Sequence, residues 1–371
     1  MLIGIDASRA TVAQRTGTEG YSLHIINGLI KHGGEHCFRL YFRDDPPQNL
    51  FPQQDNLEIR VIHQARLWTH KGLGPVVRRE RPDVFFVPAH VIPWPDVNPV
   101  SAVVTAHDLG YLHYPAKHPL SERLYLDWST RHSARTARRV IAVSNATKQD
   151  LVSLNGIPAQ KIRVVHSGID SKLQPIDNPQ KLSDLRDKLH IPGPYVLHVG
   201  RIQSRKNLTR LVEAFSQIKD LIPDLRLVLA GREVWGGQSV SNRISQLGLE
   251  DAVIRIGYVK EDDLPTLYSG AIVYAFPSLY EGFGFPALEA MACGTAVVCS
   301  NTSSLPELVG DAALTVAPTD VTALAESMAR LIMDEELRGT LIARGFERVK
   351  LFTWDSATKA TLNVLTEAAS T

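Results

Sequence analysis

Short apolar runs alternate with longer segments of helical period along the whole chain. In the first half the runs occupy residues 2–7, 38–42, 57–62, 84–87, 102–106, 140–143 and 162–165. In the second half they occupy residues 195–199, 225–230, 253–256, 272–276, 296–299 and 313–316. Several runs lack the polar alternation of a half-exposed strand, which is typical of strands buried on both faces.

Helical segments lie between many of these runs. After Asn207, for example, one helical face collects the apolar residues Leu208, Leu211, Val212, Phe215 and Ile218. Strands that alternate with helices form parallel sheets with right-handed crossovers. The pattern therefore predicts an α/β protein with two Rossmann-like domains, and ligand is expected at the carboxyl ends of the strands.

The boundary between the two domains is predicted at residues 174–179, which read QPIDNP. The prolines and polar residues of this stretch suit an exposed connection. We predict a first domain of residues 1–175 and a second domain of residues 176–353. Residues 354–371 have one apolar face, which needs a surface on which it can be buried.

Composition narrows the class of protein. The 371 residues carry 40 basic and 39 acidic side chains, which argues against a strongly electrostatic nucleic-acid binder. Residues 1–175 hold 21 Lys and Arg against 15 Asp and Glu, so the first half is mildly basic. Three scattered cysteines, Cys37, Cys293 and Cys299, indicate free thiols in a reducing cytoplasm rather than a zinc site or a disulfide framework. We predict neither a signal peptide nor a membrane span, which needs ~20 apolar residues.

The most informative segment is YEGFGFPALEAMACG, residues 280–294. Pro286 suits the first position of a helix and Gly294 suits its end. Just before a helix N-terminus, unpaired amide donors and the helix dipole favour an anion. We therefore predict an anion site at the backbone of Gly282, Phe283, Gly284 and Phe285.

Charged residues accompany this segment. Glu281 lies in the loop and Glu289 lies in the first turns of the helix, where a single glutamate would simply favour the helix start. Arg201 follows the run 195–199 and Lys206 precedes the next helix, so both are expected at the carboxyl edge of the second sheet. Two cations there can neutralise a diphosphate without a metal. The alternative is a solvated basic loop, which Lys206 followed by Asn207 would indicate if they stood alone.

Residues 280–294 resemble the E-x7-E segment of retaining glycosyltransferases of family 4, which have the GT-B fold. The same resemblance extends over nearly the whole chain, in residues 16–21 (TGTEGY), 106–109 (AHDL), 140–151 (VIAVSNATKQDL), 164–170 (VVHSGID) and 200–208 (GRIQSRKNL). The combination is most similar to the bacterial O-antigen mannosyltransferases, several of which use GDP-mannose. The resemblance implies two parallel sheets facing across a cleft, with residues 354–371 as a helix that crosses the cleft and docks on the first domain.

The resemblance also implies roles for these residues. Arg201 and Lys206 would bind the donor diphosphate, Glu281 the sugar hydroxyls and Glu289 the ribose diol. The nucleotide base is expected to meet the backbone near Gly231 and Tyr258. The resemblance implies a transfer that retains configuration. Since no residue offers a convincing covalent nucleophile, we expect a same-face transfer rather than a double displacement, and since no metal site is evident, we expect no divalent metal or other cofactor.

Two further candidate sites lie in the first domain. His107 follows the run 102–106, where a lone histidine is more often structural. In the resembled family this position contacts the donor sugar near the reacting centre. Gly17 and Gly20 match the family's glycine loop after the first strand, where backbone can approach a ligand closely. An ordinary turn would also explain these glycines, and Glu19 between them is unusual for that loop.

A basic helix is predicted over residues 121–139, with Arg123, Arg131, Arg135, Arg138 and Arg139. A solvated helix face explains these arginines, and so does contact with anionic lipid or a lipid-diphosphate acceptor. The expected partners are thus a nucleotide-diphosphate sugar and a glycan or lipid-linked acceptor in cell-surface polysaccharide or glycolipid synthesis, with no nucleic acid. The expected location is the cytoplasm, with peripheral contact at the inner face of the plasma membrane.

Two other functions remain open from the residues. A nucleotide-sugar epimerase of similar fold would need acid and base carboxylates around the sugar, and it would form product without an acceptor. A non-catalytic nucleotide-sugar-binding subunit would bind the donor without turnover.

Overall fold

The computed structural model describes residues 1–12, 17–89, 91–95, 97–115, 119–234 and 237–370. The chain divides into a first unit, Met1–Gly168 with Phe352–Thr371, and a second unit, Ile169–Leu351. The first change of unit lies a few residues before the predicted linker at residues 174–179. The second lies just before residue 354.

The first unit is built on a seven-stranded parallel sheet with the order β3-β2-β1-β4-β5-β6-β7. The strands are β1 (Leu2–Asp6), β2 (Cys37–Phe42), β3 (Leu57–Val61), β4 (Val84–Val87), β5 (Ser101–Ala106), β6 (Arg139–Ala142) and β7 (Ile162–Val164). The strand order reverses between β1 and β4, which is the topological switch point of this sheet.

The second unit is built on a six-stranded parallel sheet with the order β10-β9-β8-β11-β12-β13. The strands are β8 (Tyr195–Val199), β9 (Arg226–Ala230), β10 (Val253–Gly257), β11 (Val273–Phe276), β12 (Ala296–Ser300) and β13 (Ala313–Val316). Its switch point lies between β8 and β11.

The predicted strands and fold class are confirmed. Every strand begins and ends within one residue of its predicted bounds. The reason is visible in the central strands, since β4 and β11 are buried along their whole length, so nearly every position must be apolar.

Helices connect the strands in both units. In chain order they are α1 (Gly17–His32), α2 (Gly74–Glu80), α3 (Gly110–His113), α4 (Leu120–Thr136), α5 (Asn145–Ser153), α6 (Pro179–Lys188), α7 (Leu208–Ser216), α8 (Gly237–Gln246), α9 (Leu264–Ser269), α10 (Phe285–Ala292), α11 (Leu305–Val309), α12 (Val321–Met333), α13 (Glu335–Val349) and α14 (Trp354–Ala369). Across the part of the chain that the structure describes, no helix is both long enough and apolar enough to cross a lipid bilayer.

Helix α14 belongs to the first unit, although it follows the second unit along the chain. It packs on α1 and on strands β4, β5 and β6. Val364 and Leu365 are buried on its inner face. At its far end, Glu367 forms an ion pair with Arg139 at 3.0 Å. The helix thus buries its apolar face against the first sheet.

Two local expectations for the first unit were wrong. Gly17 is the first residue of α1 and Gly20 lies in its first turn, so neither glycine lies in a loop. Residues 13–16, which include the first residue of the predicted glycine loop, are outside the described residues. The basic helix is also shorter than predicted, because α4 ends at Thr136 and Arg139 begins strand β6.

Candidate active site

The candidate residues of the second unit meet where strands β8 and β11 end. These strands are neighbours at the switch point, although they are far apart along the chain. Asn207, buried after the β8 loop, fixes their relative position because its Nδ2 donates to Pro277 O at 3.0 Å and to Pro318 O at 2.6 Å. Loops that diverge at such a point leave room for a ligand.

Lys206 and Glu281 form a buried ion pair at this point. The Lys206 Nζ lies 2.6 Å from Glu281 Oε1, and the two side chains are only 10% and 9% exposed. The ammonium also lies 4.8 Å from the centre of the Phe276 ring, a cation–π contact. Removing the Glu281 carboxylate would leave the Lys206 ammonium buried without its counter-charge. The two residues predicted for different parts of the donor therefore contact each other.

Arg205 is a second cation at the same carboxylate. Its Nη1 donates to Tyr280 O at 2.6 Å and lies 3.4 Å from Glu281 Oε2. Arg205 was not predicted from the sequence. The one feature of the sequence that could have indicated a role for Arg205 is its place beside Lys206. The two residues lie in a short 3-10 helix, Ser204–Lys206, and the side chain next to a functional residue on such a turn can face any direction.

The two cations control the ionisation of Glu281. Burial by itself raises the pKa of the Glu281 carboxyl, but the charges of Lys206 and Arg205 outweigh it, so the pKa lies below its ordinary value. The backbone around the carboxylate is also held. Glu281 N donates to Ser303 Oγ at 2.9 Å, and Ser304 Oγ donates to Glu281 O at 2.9 Å.

The glycine-rich stretch after Glu281 leads directly into α10. Gly284 precedes the helix with φ at +131°, and a Cβ there would lie 2.8 Å from Leu305 Cδ2. Both facts make glycine necessary at this turn. Helix α10 begins at Phe285, one residue earlier than predicted, so Pro286 occupies the second position of the helix and not the first. The predicted stretch from Gly282, through Phe283, to Phe285 therefore does lead into the helix N-terminus.

Glu289 occupies a different environment on α10. The Tyr268 hydroxyl donates to Glu289 Oε2 at 2.8 Å. Burial raises the pKa of Glu289 to about 7, the Tyr268 hydrogen bond opposes this, and the nearby Asp170 and Glu261 carboxylates add to it. Tyr268 could not be predicted as a partner of Glu289, because it lies on a separate helix, α9.

Arg201 is exposed, and no ion pair or hydrogen bond joins its side chain to another described residue. The Lys206 side chain passes over the neighbouring Gly200, so that a Cβ at that position would lie 4.0 Å from Lys206 Nζ. Arg201 and Lys206 thus lie along one loop after β8, as predicted, but Lys206 is held in place and Arg201 is not.

A cavity of about 520 Å³ lies at the ends of β8, β9 and β10. Gly231 and Gly257 line it, together with Arg232, whose guanidinium lies 5.3 Å from the centre of the Tyr258 ring. Gly231 has φ at +144°, and a Cβ there would overlap Gly200 O at 1.9 Å. The stretch predicted to meet the nucleotide base therefore borders an open cavity of the second unit.

His198 is a buried residue that the sequence analysis missed. Its Nδ1 donates to Ala275 O at 3.0 Å, and burial lowers the pKa of the ring to about 4, so the ring is neutral at neutral pH. Its Nε2 is then an acceptor, and no described donor reaches it. A Cβ at Gly200 would lie 3.4 Å from this nitrogen, beside Lys206.

His107 lies in the first unit, directly after β5. Its Nε2 donates to Pro88 O at 2.8 Å, and the Tyr21 ring meets it edge-on with the ring centres 4.8 Å apart. Burial lowers the pKa of His107, so the ring is neutral near pH 7. The neighbouring Asp108 makes a local contact, since its Oδ1 accepts from Gly110 N at 3.0 Å. The contact of His107 with a donor sugar stays a prediction.

Two family models match the chain. The model described as Glycosyltransferase Family 4 matches residues 15–173, and that described as Glycosyl transferases group 1 matches residues 183–348. The chain is 35% identical over 265 residues to O-antigen chain mannosyltransferase B of Escherichia coli, covering 71% of this chain and 69% of that protein.

Other relatives are covered less completely. A serotype-specific mannosyltransferase of Escherichia coli is 28% identical over 72% of this chain, but the match spans only 33% of that protein. Mannosylfructose-phosphate synthase of Agrobacterium fabrum is 32% identical over 59% of this chain and 51% of that protein.

Solved structures match the fold along the whole chain. Anabaena HepE, in complex with UDP and glucose, has a TM-score of 0.76 and 20% identity and covers 98% of this chain and 99% of its own. Sucrose-phosphate synthase from Thermosynechococcus elongatus has a TM-score of 0.77 and 22% identity, with 100% and 99% covered. With both sheets and both family models in agreement, the chain belongs to the family 4 glycosyltransferases of the GT-B fold.

Proposed function

We propose that the chain transfers mannose from GDP-mannose to an acceptor hydroxyl, with retention of configuration and without a divalent metal, in bacterial O-antigen or related polysaccharide synthesis. The buried cluster of Lys206, Arg205 and Glu281 is the observation that carries this proposal. It combines cations for a diphosphate with a carboxylate for sugar hydroxyls in one place. The mannosyltransferases among the relatives support mannose as the sugar.

The second unit binds the donor in this proposal. The base occupies the cavity beside Gly231 and Tyr258, and the ribose diol donates to Glu289. The diphosphate meets Lys206 and Arg201, and Glu281 accepts from hydroxyls of the hexose. The first unit binds the acceptor, and His107 contacts the donor sugar.

The cations promote departure of the leaving group. Negative charge grows on the diphosphate as its bond to the sugar breaks, and a fixed cation in a buried site stabilises that charge more than it stabilises the ground state. Lys206 is held by Glu281 and by the Phe276 ring before any ligand arrives. The N-terminus of α10 adds its dipole on the same side. These groups supply the neutralisation for which other enzymes use a metal ion.

Neither carboxylate suits a covalent intermediate. Glu281 is ionised but held by two cations, which weakens it as a nucleophile, and Glu289 has a pKa of about 7 and is hydrogen-bonded by Tyr268. We therefore propose a same-face transfer through an oxocarbenium-like sugar. The leaving phosphate takes the proton of the acceptor hydroxyl, so proton and charge both end on the released diphosphate.

We propose that the protein works in the cytoplasm and contacts the membrane surface through α4. The exposed face of this helix holds Leu120, Leu124, Tyr125 and Trp128, which are 62%, 60%, 49% and 42% exposed. Arg135 is exposed on the same helix. Aromatic and apolar side chains beside arginines match the interface of an anionic bilayer. Sedimentation with anionic vesicles should fall when Leu124 and Trp128 are both replaced by Glu.

The donor is tested with a thermal-shift panel of GDP, UDP and ADP, each with and without EDTA. We expect GDP to raise the melting temperature most and EDTA to change little. A larger shift with UDP would reject GDP-mannose, and a loss of binding in EDTA would reject metal independence.

The reaction is tested with GDP-mannose and lipid-linked mannan. We expect an α-linked product, since the donor is an α-mannoside, and NMR of the anomeric proton reports it. A β-linked product would reject retention. Product formed without acceptor would favour an epimerase, and tight binding without turnover would favour a binding subunit.

A further inference from the structure

Arg205 and Lys206 contact different oxygens of one buried carboxylate. Lys206 Nζ lies 2.6 Å from Glu281 Oε1, whereas Arg205 Nη1 lies 3.4 Å from Glu281 Oε2. The three charges sum to +1 at a site where an anion is expected to bind. An incoming diphosphate therefore competes with Glu281 for the same ammonium.

Arg205 is tied to the loop in a way that does not depend on any ligand. Its guanidinium donates to Tyr280 O at 2.6 Å, and its backbone carbonyl accepts from Leu279 N at 2.9 Å. Arg205 is thus hydrogen-bonded to the two residues before Glu281, to Leu279 through its backbone and to Tyr280 through its side chain. Because the same Nη1 donates to Tyr280 O and contacts Glu281 Oε2, the hydrogen bond to the backbone also holds the positive charge beside the carboxylate.

We propose that Arg205 is a positioning residue that keeps the Glu281 carboxylate charged and in place while Lys206 turns to the donor diphosphate. An ionised Glu281 accepts hydrogen bonds from sugar hydroxyls, whereas a protonated one would donate one of its own. Arg205 thereby fixes the direction of the hydrogen bonds to the sugar. The inference rests on the proposed function in one point, namely that the ligand bound by Lys206 is the diphosphate of the donor.

Other ionisable groups face Glu281 but are neutral in the working range. His198, on β8, has a pKa of about 4, and burial raises the pKa of Tyr274, on β11, well above its ordinary value. Among the described residues, Lys206 and Arg205 are the cations that lower the pKa of Glu281. If Lys206 is shared with a phosphate, Arg205 becomes the main counter-charge.

The test is a titration of Glu281 without any donor, by carboxyl 13C NMR of protein labelled at glutamate, with Glu281→Gln to assign the signal. Arg205→Gln retains a donor for Tyr280 O but loses the charge, so the pKa of Glu281 should rise by about 1–3 units. Arg205→Lys should restore it. Arg243→Gln breaks another Arg–Glu pair of the second unit, with Glu213 at 2.9 Å, and should leave the titration unchanged. An unchanged titration in Arg205→Gln would overturn the proposal.

Lys206→Gln provides a second variant in case Arg205→Gln does not fold. Arg205 alone should then keep Glu281 ionised at about pH 7, because one opposite charge within ~4–6 Å still favours the carboxylate. A Glu281 that is protonated at that pH in Lys206→Gln would overturn the proposal. None of these measurements uses GDP-mannose, so they stand whether or not the donor is correctly assigned.

Turnover separates a charge effect from a structural one. At saturating donor, Arg205→Gln should lose kcat towards low pH, and Arg205→Lys should recover it. A purely structural role would lower kcat by the same factor at every pH, and that result would also overturn the proposal. If the wild-type protein shows no turnover with GDP-mannose, the proposed function fails, and the titration alone decides the role of Arg205.

Discussion

Glu281 and Glu289 lie eight positions apart in one segment and both are buried, yet the groups that surround the two carboxylates differ. Glu281 lies between two cations, at 2.6 Å from Lys206 and 3.4 Å from Arg205. Glu289 accepts from the Tyr268 hydroxyl at 2.8 Å and lies near two further carboxylates. The pKa of Glu281 is therefore held below its ordinary value, whereas that of Glu289 rises to about 7.

The comparison shows that the partners of a buried carboxylate, and not burial itself, decide its charge. Burial raises the pKa of both residues, and only Glu281 has cations that overcome it. Glu281 is thus an anion at neutral pH and suits a fixed set of hydroxyl donors. Glu289 changes charge close to neutral pH, so a ligand that donates to it also determines its ionisation.

The largest expected effect is on the free energy of unfolding, which Glu281→Gln and Glu289→Gln should change in opposite directions. Glu281→Gln should lower the free energy of unfolding by about 3–5 kcal/mol, because Lys206 is left buried without its counter-charge. Glu289→Gln should raise it by about 1–3 kcal/mol at about pH 8, because it removes a carboxylate that is costly to ionise. Urea denaturation of the unliganded protein measures both changes.

The sign for Glu289 follows from its raised pKa. Between its ordinary value near 4.5 and the folded value of about 7, ionisation costs the folded state progressively more, and the full cost applies above that range. Glu347→Gln is the control, since the Glu347 side chain is 72% exposed and its pair with Lys350 should contribute within about 0.5 kcal/mol. Destabilisation by both Glu281→Gln and Glu289→Gln would contradict the comparison.

Lys206→Ala should lower kcat by about 10²–10³-fold, because the lost contact is worth most when charge develops on the diphosphate. Arg201→Ala should also act mainly on kcat but by less, since its exposed side chain is not held in place in advance. Steady-state kinetics with GDP-mannose measures both changes, and Lys219→Ala, at an exposed pair with Asp220, is the control. Near-normal turnover in both variants would remove them from the mechanism.

Substitution of the two carboxylates should affect the binding of different ligands. Glu289→Ala should weaken GDP by about 10–100-fold, the value of a hydrogen bond to a charged group, because GDP contains the ribose diol. Glu281→Ala should not weaken GDP binding, because the carboxylate that it removes competes with the diphosphate for Lys206. It should weaken binding of GDP-mannose, because only the donor carries the hexose. Calorimetry with both ligands measures this, and equal losses for both ligands in both variants would contradict the division.

The smallest expected effect is the pH dependence of GDP binding. Below about pH 7 the affinity should fall, by at most about tenfold per pH unit, because a protonated Glu289 is a poorer acceptor for the ribose diol. In Glu289→Gln, the part of this fall in affinity that comes from protonation of Glu289 should be absent. Protonation of the GDP phosphates affects the wild-type protein and the variant alike. An identical slope in the two proteins would show that Glu289 does not titrate with the ligand.

The sequence by itself determined the strands and the segments that carry chemistry. Buried parallel strands must be apolar at almost every position, so their bounds could be read within one residue. Gly284 and Pro286 mark the start of α10 by local geometry, and local geometry is encoded locally. The start of α1 at Gly17 was misread because glycine is common in loops, while helix formation there depends on burial of residues such as Tyr21.

Only the tertiary structure decided which charges meet. Lys206 and Glu281 are 75 residues apart, and their contact exists because β8 and β11 are neighbours in the sheet. Arg205 gave no signal of its own, since the direction of a side chain on a short turn depends on what packs around it. Tyr268 and Glu289 likewise meet only because α9 and α10 are packed together. The opposite charge states of two glutamates in one segment therefore come from long-range packing, which periodicity and spacing do not record.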